Sequence, residues 1–228
     1  MEFKQSHSGN YRAGRTGKIE YIVIHYTAND GDTAQGNLNY FASNTVQASA
    51  HYFVDESGVC QSVKDTDTAW HCGANSYRHP YCRNANSIGI ELCSRKDRNG
   101  NYYFLDETVK NAVVLTKQKM AEYGIDSGHV VRHYDVTGKK CPAPMVDDEA
   151  QWEQFKSALT ESEVEDMTEE QVKKIVTEML RGADSTVSKS LADEWASAQS
   201  AGITDGTRPG GYATREQVAA MVLRAAKS

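Results

Sequence analysis

An imidazole and a thiol, both ligands for borderline metals, stand eight positions apart in His133-Tyr-Asp-Val-Thr-Gly-Lys139-Lys-Cys141, with an ammonium two positions before the thiol. A catalytic zinc takes three protein ligands and leaves its fourth position to water, so this stretch lacks one ligand. His25, at the C-terminal end of the β-branched run Tyr21-Ile-Val-Ile-His25, is the candidate. Two neutral nitrogens and one thiolate suit Zn2+. Such a site also needs a proton carrier and a partner for a developing oxyanion. Glu91, set in the otherwise apolar Ser87-Ile-Gly-Ile-Glu91-Leu-Cys93, is the expected general base and acid, because a glutamate is seldom buried without a partner or a task. Lys139 is the expected oxyanion partner. Any one of these residues alone reads equally well as a structural residue; together they lie at strand ends or in adjoining loops.

The elements that would hold these residues alternate between strand and helix, which predicts an α/β catalytic part. Tyr21 to His25 and Ser87 to Cys93 read as buried strands. Period-two alternation in the second places Ile88, Ile90 and Leu92 on one face and Gly89, Glu91 and Cys93 on the other. Val130-Val131-Arg132 reads as a third, short strand delivering His133. Ala34, Leu38 and Phe41 predict a short helix after Gly31-Asp32, and residues 50–54 and 59–63 a hairpin turning at Gly58. Residues 70–86 carry no period and read as a long loop. Val109, Ala112, Val113, Thr116 and Met120 give the face of a helix from Asp106 to Tyr123, closed by Gly124. The segment before Gly17 reads as an irregular lead-in.

Charge divides the chain. Residues 1–146 carry 16 basic and 15 acidic side chains, residues 147–167 carry 1 and 8, and residues 168–228 carry 8 and 8. The acidity is thus confined to a short segment, which argues against a nucleic-acid surface. The expected domains are 1–159, catalytic; 160–167, an acidic linker; and 168–228, a small all-α domain of three helices. Two capping boxes, Thr168-Glu-Glu-Gln171 and Thr214-Arg-Glu-Gln217, open its first and third helices. No apolar run is long enough to span a bilayer, and the first residues lack the apolar stretch of a secretory signal. The five cysteines, an odd number without such a signal, read as reduced thiols, with a Cys72 to Cys82 bridge left open.

Residues 19–145 resemble the zinc-dependent N-acetylmuramoyl-L-alanine amidases of the peptidoglycan recognition protein superfamily, particularly those of phage endolysins and prophage autolysins. The blocks that carry the likeness are Tyr-Ile-Val-Ile-His25-Tyr-Thr-Ala-Asn, Ser-Ala-His51-Tyr-Phe-Val-Asp, Ala-Trp70-His71-Cys-Gly, Ser-Ile-Gly-Ile-Glu91-Leu-Cys and the His133 to Cys141 stretch. The resemblance implies a mixed β-sheet flanked by helices, zinc on His25, His133 and Cys141, Glu91 as general base and acid, and Lys139 as oxyanion stabiliser. It also implies that Trp70 and His71 line a cleft for the muramyl peptide, with loop packing a comparable explanation. His51 reads as either a cleft residue or a structural strand residue. Some phage members carry a Tyr before the histidine of the second block; here that position is Ala50, so tyrosine assistance is not expected.

About the last 40 residues resemble S-layer-homology-like segments of cell-wall enzymes, which implies a wall-binding module; a helical oligomerisation domain, and hence a homo-oligomer, is the alternative. The expected activity is hydrolysis of the bond between N-acetylmuramic acid and the L-alanine of the stem peptide by zinc-activated water, lysing the bacterial wall. The expected partners are peptidoglycan and the cell wall, without nucleic acid or membrane. The enzyme would be made in a host cytoplasm and act after release. A peptidoglycan-binding receptor without catalysis and a cytoplasmic muropeptide-recycling amidase are the rival readings.

Overall fold

The computed structural model describes residues 1–161 and 192–202. The chain divides into two units, Met1–Glu161 and Ser162–Ser228.

The strands of the first unit are β1 (Glu2–Phe3), β2 (Tyr11–Arg12), β3 (Tyr21–Tyr26), β4 (Tyr52–Asp55), β5 (Gly58–Gln61), β6 (Thr68–Ala69), β7 (Ser87–Leu92), β8 (Arg95–Lys96), β9 (Tyr102–Tyr103) and β10 (Val130–Arg132). Its helices are α1 (Ala34–Ser43), α2 (Asp106–Tyr123), α3 (His133–Thr137), α4 (Ala143–Asp147) and α5 (Glu149–Thr160). Six strands form the main sheet in the order β1-β5-β4-β7-β3-β10. All neighbours run parallel except the β4–β5 hairpin, so the sheet is mixed and the expected α/β class holds.

Alternation sorts the two faces. Ile22, Ile24, Tyr52, Val54, Ile88, Ile90 and Leu92 point to one side, where Ala112 and Leu115 of α2 and Trp152, Phe155 and Leu159 of α5 cover them. Each large apolar side chain fully buried there stabilises the fold by roughly 1.5–3 kcal/mol. This layer fixes the register of β3 and β7, since a slip of one residue would turn every side chain over. The other face carries Val23, His25, Gly89, Glu91 and Phe53, and it meets α1 and the loop of residues 70–86.

Most predicted elements fall where expected: α1 begins after its N-cap Thr33, and α2 ends at Gly124, whose φ of 66° is the left-handed closure that favours glycine. The lead-in departs from expectation, because Glu2–Phe3 pairs with β5 and Tyr11–Arg12 pairs with Thr68–Ala69. Two-residue strands carry no period, so only pairing partners reveal them. The expected short loop after His133 is the helix α3, closed by Gly138 at φ 85°. Of the expected C-terminal helices, the second is seen as α6 (Ala192–Ser200), which carries Trp195 and Ala198. The two capping-box helices lie outside the described residues. Among the described residues no helix is long and apolar enough to cross a membrane.

Candidate metal centre and active site

Three adjacent parallel strands, β7, β3 and β10, end on one rim, and each delivers a chemical group there. His25 is the next-to-last residue of β3 and pairs in register with Glu91 of β7. His133 directly follows β10 as the first residue of α3. Cys141 returns to its side because the Tyr134 N–H donates to the Cys141 carbonyl at 2.8 Å, closing the intervening helix and loop into a compact turn. The ligating atoms of His25, His133 and Cys141 lie within 4.8 Å of one another. His25 Nδ1 faces Cys141 Sγ at 3.7 Å and Glu91 Oε1 at 4.0 Å.

The donors fit a metal ion. His133 Nδ1 is buried without a hydrogen-bond partner among the described residues, and so is Glu91 Oε2. An orphaned buried nitrogen costs free energy that coordination would recover. Burial holds His25 well below the ordinary imidazole range, reinforced by the neighbouring His133, and it lowers His133 to about 4, with Lys139 adding to the effect. Both rings are therefore neutral, as ligation requires. Burial raises the Cys141 thiol to about 12, helped by Glu91 and opposed by the Tyr26 backbone amide and Lys139. Metal binding there must displace a proton. Burial also raises Glu91 to about 8, with Lys139 lowering and Asp32 raising it. A carboxyl poised near neutrality can both accept and return a proton.

The centre opens into a cleft of about 630 Å³ whose lining includes Asp32, Asn37, Tyr40, Trp70, His71 and Lys139. Lys139 is exposed and lines the same cleft as His25, His133 and Cys141. Trp70 accepts the Ser49 N–H at its carbonyl and donates its own N–H to Ser49 Oγ, each at 3.0 Å, and it lines the cleft. Of the two readings left open for His51, its place in the fold matches the structural one: it is fully buried. Its Nδ1 accepts the Gly89 N–H at 3.0 Å, while its Nε2 lies beside the Asp67 carbonyl and Arg15. His71 reaches the cleft but spends both ring nitrogens on protein partners. Ala50 is buried at the cleft wall, so no phenol is offered at that position. All five cysteines are free and buried, Cys72 and Cys82 included. Asp32 and Asn37 escaped the sequence reading because they sit in a turn and on a helix with no distinguishing period.

The buried imidazoles set an acid limit on stability. His51 is also held well below its ordinary range by burial, His71 and Arg15. Unfolded, these rings take up protons near pH 6.5, so the stability they contribute is complete above that pH and is lost as pH falls. Glu91 runs the other way: with a folded value of about 8 against 4.5 unfolded, its contribution is complete below 4.5 and fades as pH rises toward 8. Between pH 6.5 and 5, His25, His51 and His133 outweigh Glu91. Metal-free protein is therefore expected to lose stability as pH falls from 6.5 to 5. Denaturant midpoints followed by near-UV circular dichroism would check this, and a flat profile would mean that the rings are charged in the fold.

Two imidazoles and a thiol at the rim of a mostly parallel sheet, with a carboxyl beside them, form a donor set of the kind that holds a metal ion in an open site. Residues 15–144 match the family model described as N-acetylmuramoyl-L-alanine amidase, and the chain belongs to that family. N-acetylmuramoyl-L-alanine amidase CwlL of Bacillus licheniformis is 33% identical over 190 residues, covering 76% of this chain and 51% of its own. Among solved structures, PlyL superposes with a TM-score of 0.60 at 29% identity, covering 71% of this chain and 97% of that one. A mutant endolysin from Bacillus subtilis gives 0.56 at 31% identity, with 70% and 99% covered. The chain spans about two-fifths to three-fifths of the length of these curated relatives, from 41% to 59%.

Proposed function

We propose that this chain hydrolyses the amide bond between the lactyl group of N-acetylmuramic acid and the L-alanine of the stem peptide, with zinc held by His25, His133 and Cys141. The observation that carries the reading is the convergence of those three donors within 4.8 Å, one of them an orphaned buried nitrogen, beside Glu91. The names of the relatives support the choice of bond. When bound, zinc supplies Lewis acidity that polarises the scissile carbonyl and acidifies water. Glu91 takes the proton from the attacking water and later returns it to the leaving amine of L-alanine. Lys139 offers its ammonium to the oxyanion of the tetrahedral intermediate. Trp70 supplies an apolar wall for the muramyl peptide. Residues 168–228, by their likeness to S-layer-homology segments, tether the enzyme to the wall and raise its effective concentration at the substrate. The place of action is then the bacterial cell wall, reached after release.

Purified cell walls digested with the zinc-loaded chain are expected to gain free L-alanine amino groups without new reducing sugar ends. New reducing ends would make the protein a glycosidase and sink the proposal. Absence of both products with wall binding retained would make it a receptor.

A further inference from the structure

We propose that His71 and Ser87 form a hydrogen-bond relay that fixes the tautomer of His25, making His71 a positioning residue for the metal centre rather than a contact for substrate. The inference deepens the metal reading above and rests on it only for its consequence for zinc affinity.

The relay is anchored at its far end by an atom that can only accept. Ser87 Oγ lies 2.7 Å from the Arg83 backbone carbonyl, so the hydroxyl proton is spent there. The Ser87 oxygen is thereby left as an acceptor for His71 Nε2 at 3.2 Å. An imidazole whose single proton sits on Nε2 carries a lone pair on Nδ1, and His71 Nδ1 lies 3.0 Å from His25 Nε2. His25 must then donate from Nε2, which leaves the lone pair on Nδ1. Nδ1 is the atom that faces Cys141 Sγ at 3.7 Å and Glu91 Oε1 at 4.0 Å. Each step follows from the donor or acceptor nature of the preceding group, and every proton points away from the metal.

The surroundings keep the relay in place. His25 and Ser87 are buried, at 1% and 0% exposure. The Asn84 side-chain oxygen accepts the backbone N–H groups of His71 and Cys72 at 3.1 and 2.8 Å, which pins the loop that carries His71. Gly89 leaves the space for the ring: a Cβ there would stand 2.5 Å from His71 Cγ. That close approach accounts for a glycine in the middle of a buried strand, where it otherwise weakens the strand. A metal-bound imidazole commonly has its second nitrogen held by such a partner, and loss of the partner costs about 10–100-fold in metal affinity.

The test uses the full chain and two readouts. In zinc-free wild-type protein, long-range proton–nitrogen-15 NMR correlations are expected to show both His25 and His71 protonated at Nε2. Chelator competition is expected to show zinc binding weakened about 10–100-fold in His71→Phe and about 10-fold in Ser87→Ala. His71→Asn places an amide oxygen near the position of Nδ1 and is expected to recover most of the affinity. Thermal melts identify a variant that fails to fold, and in that case Ser87→Ala and the wild-type tautomers decide. His25 protonated at Nδ1 in the zinc-free protein would overturn the relay. So would His71→Phe binding zinc within about twofold of wild type, or His71→Asn doing no better than the phenylalanine variant. Wild-type protein that takes up no zinc, yet shows the expected tautomers, would instead refute the metal reading and leave the relay standing.

Discussion

Glu91→Gln is expected to lower kcat by about 10²–10⁴-fold while zinc remains bound. The amide keeps the size and polarity of the carboxyl but cannot carry a proton from water to the leaving amine. Glu91 is the group suited to that transfer because it sits in register with His25, its Oε1 is 4.0 Å from His25 Nδ1, and its Oε2 is a buried atom with no partner among the described residues. Its ordinary acidity is also suppressed, to about 8, chiefly by burial. A neutral amide removes the cost of an ionised carboxylate there, so the melting temperature of the metal-free variant is not expected to fall. Steady-state release of amino groups, with zinc content measured on the same sample, would check this. A kcat within tenfold of wild type at full zinc occupancy would mean that another group moves the proton.

Cys141→Ala is expected to abolish turnover by removing the metal. Loss of a first ligand should weaken zinc by more than the roughly 100-fold that loss of a supporting contact costs. Cobalt(II) substitution gives an independent readout: the wild-type complex is expected to show a near-ultraviolet sulfur-to-metal charge-transfer band, and the variant none. The thiol also sets the pH dependence of metal uptake. Because Cys141 is raised to about 12 in the metal-free fold, binding displaces its proton, and apparent affinity is expected to fall about tenfold per pH unit as pH decreases. A variant that keeps tight zinc and full activity would remove Cys141 from the ligand set.

The strands carrying the site were legible because their signal is local. Alternation in Ser87 to Cys93 separates Glu91 from the isoleucines, and the structure buries Ile88 and Ile90 on the face opposite Glu91. The run ending at His25 is short, β-branched and bounded by polar residues, and it forms β3. Helix α2 announced both its apolar stripe and its glycine stop. The lead-in strands were illegible, since a two-residue strand has no period and exists only through its partner. The histidines were the hardest to sort. Motif position alone made His51 and His71 alike, yet one is sealed in the sheet layer against Gly89 and the other stands behind His25.

The sequence by itself determined the donor types, their attachment to strand ends, and the presence of a carboxylate on the face opposite the apolar layer. Tertiary structure decided which of these groups meet. The parallel pairing of β3 with β7 and β10 brings His25 against Glu91 and beside His133, across separations that no local pattern encodes. Burial, which is a property of the packed layers, then keeps the imidazoles neutral and the carboxyl near neutrality. The stretch from His133 to Cys141 carries two of the three donors, but the sheet places the third, and the contacts running from the Arg83 carbonyl through Ser87 and His71 to His25 exist only in the folded chain.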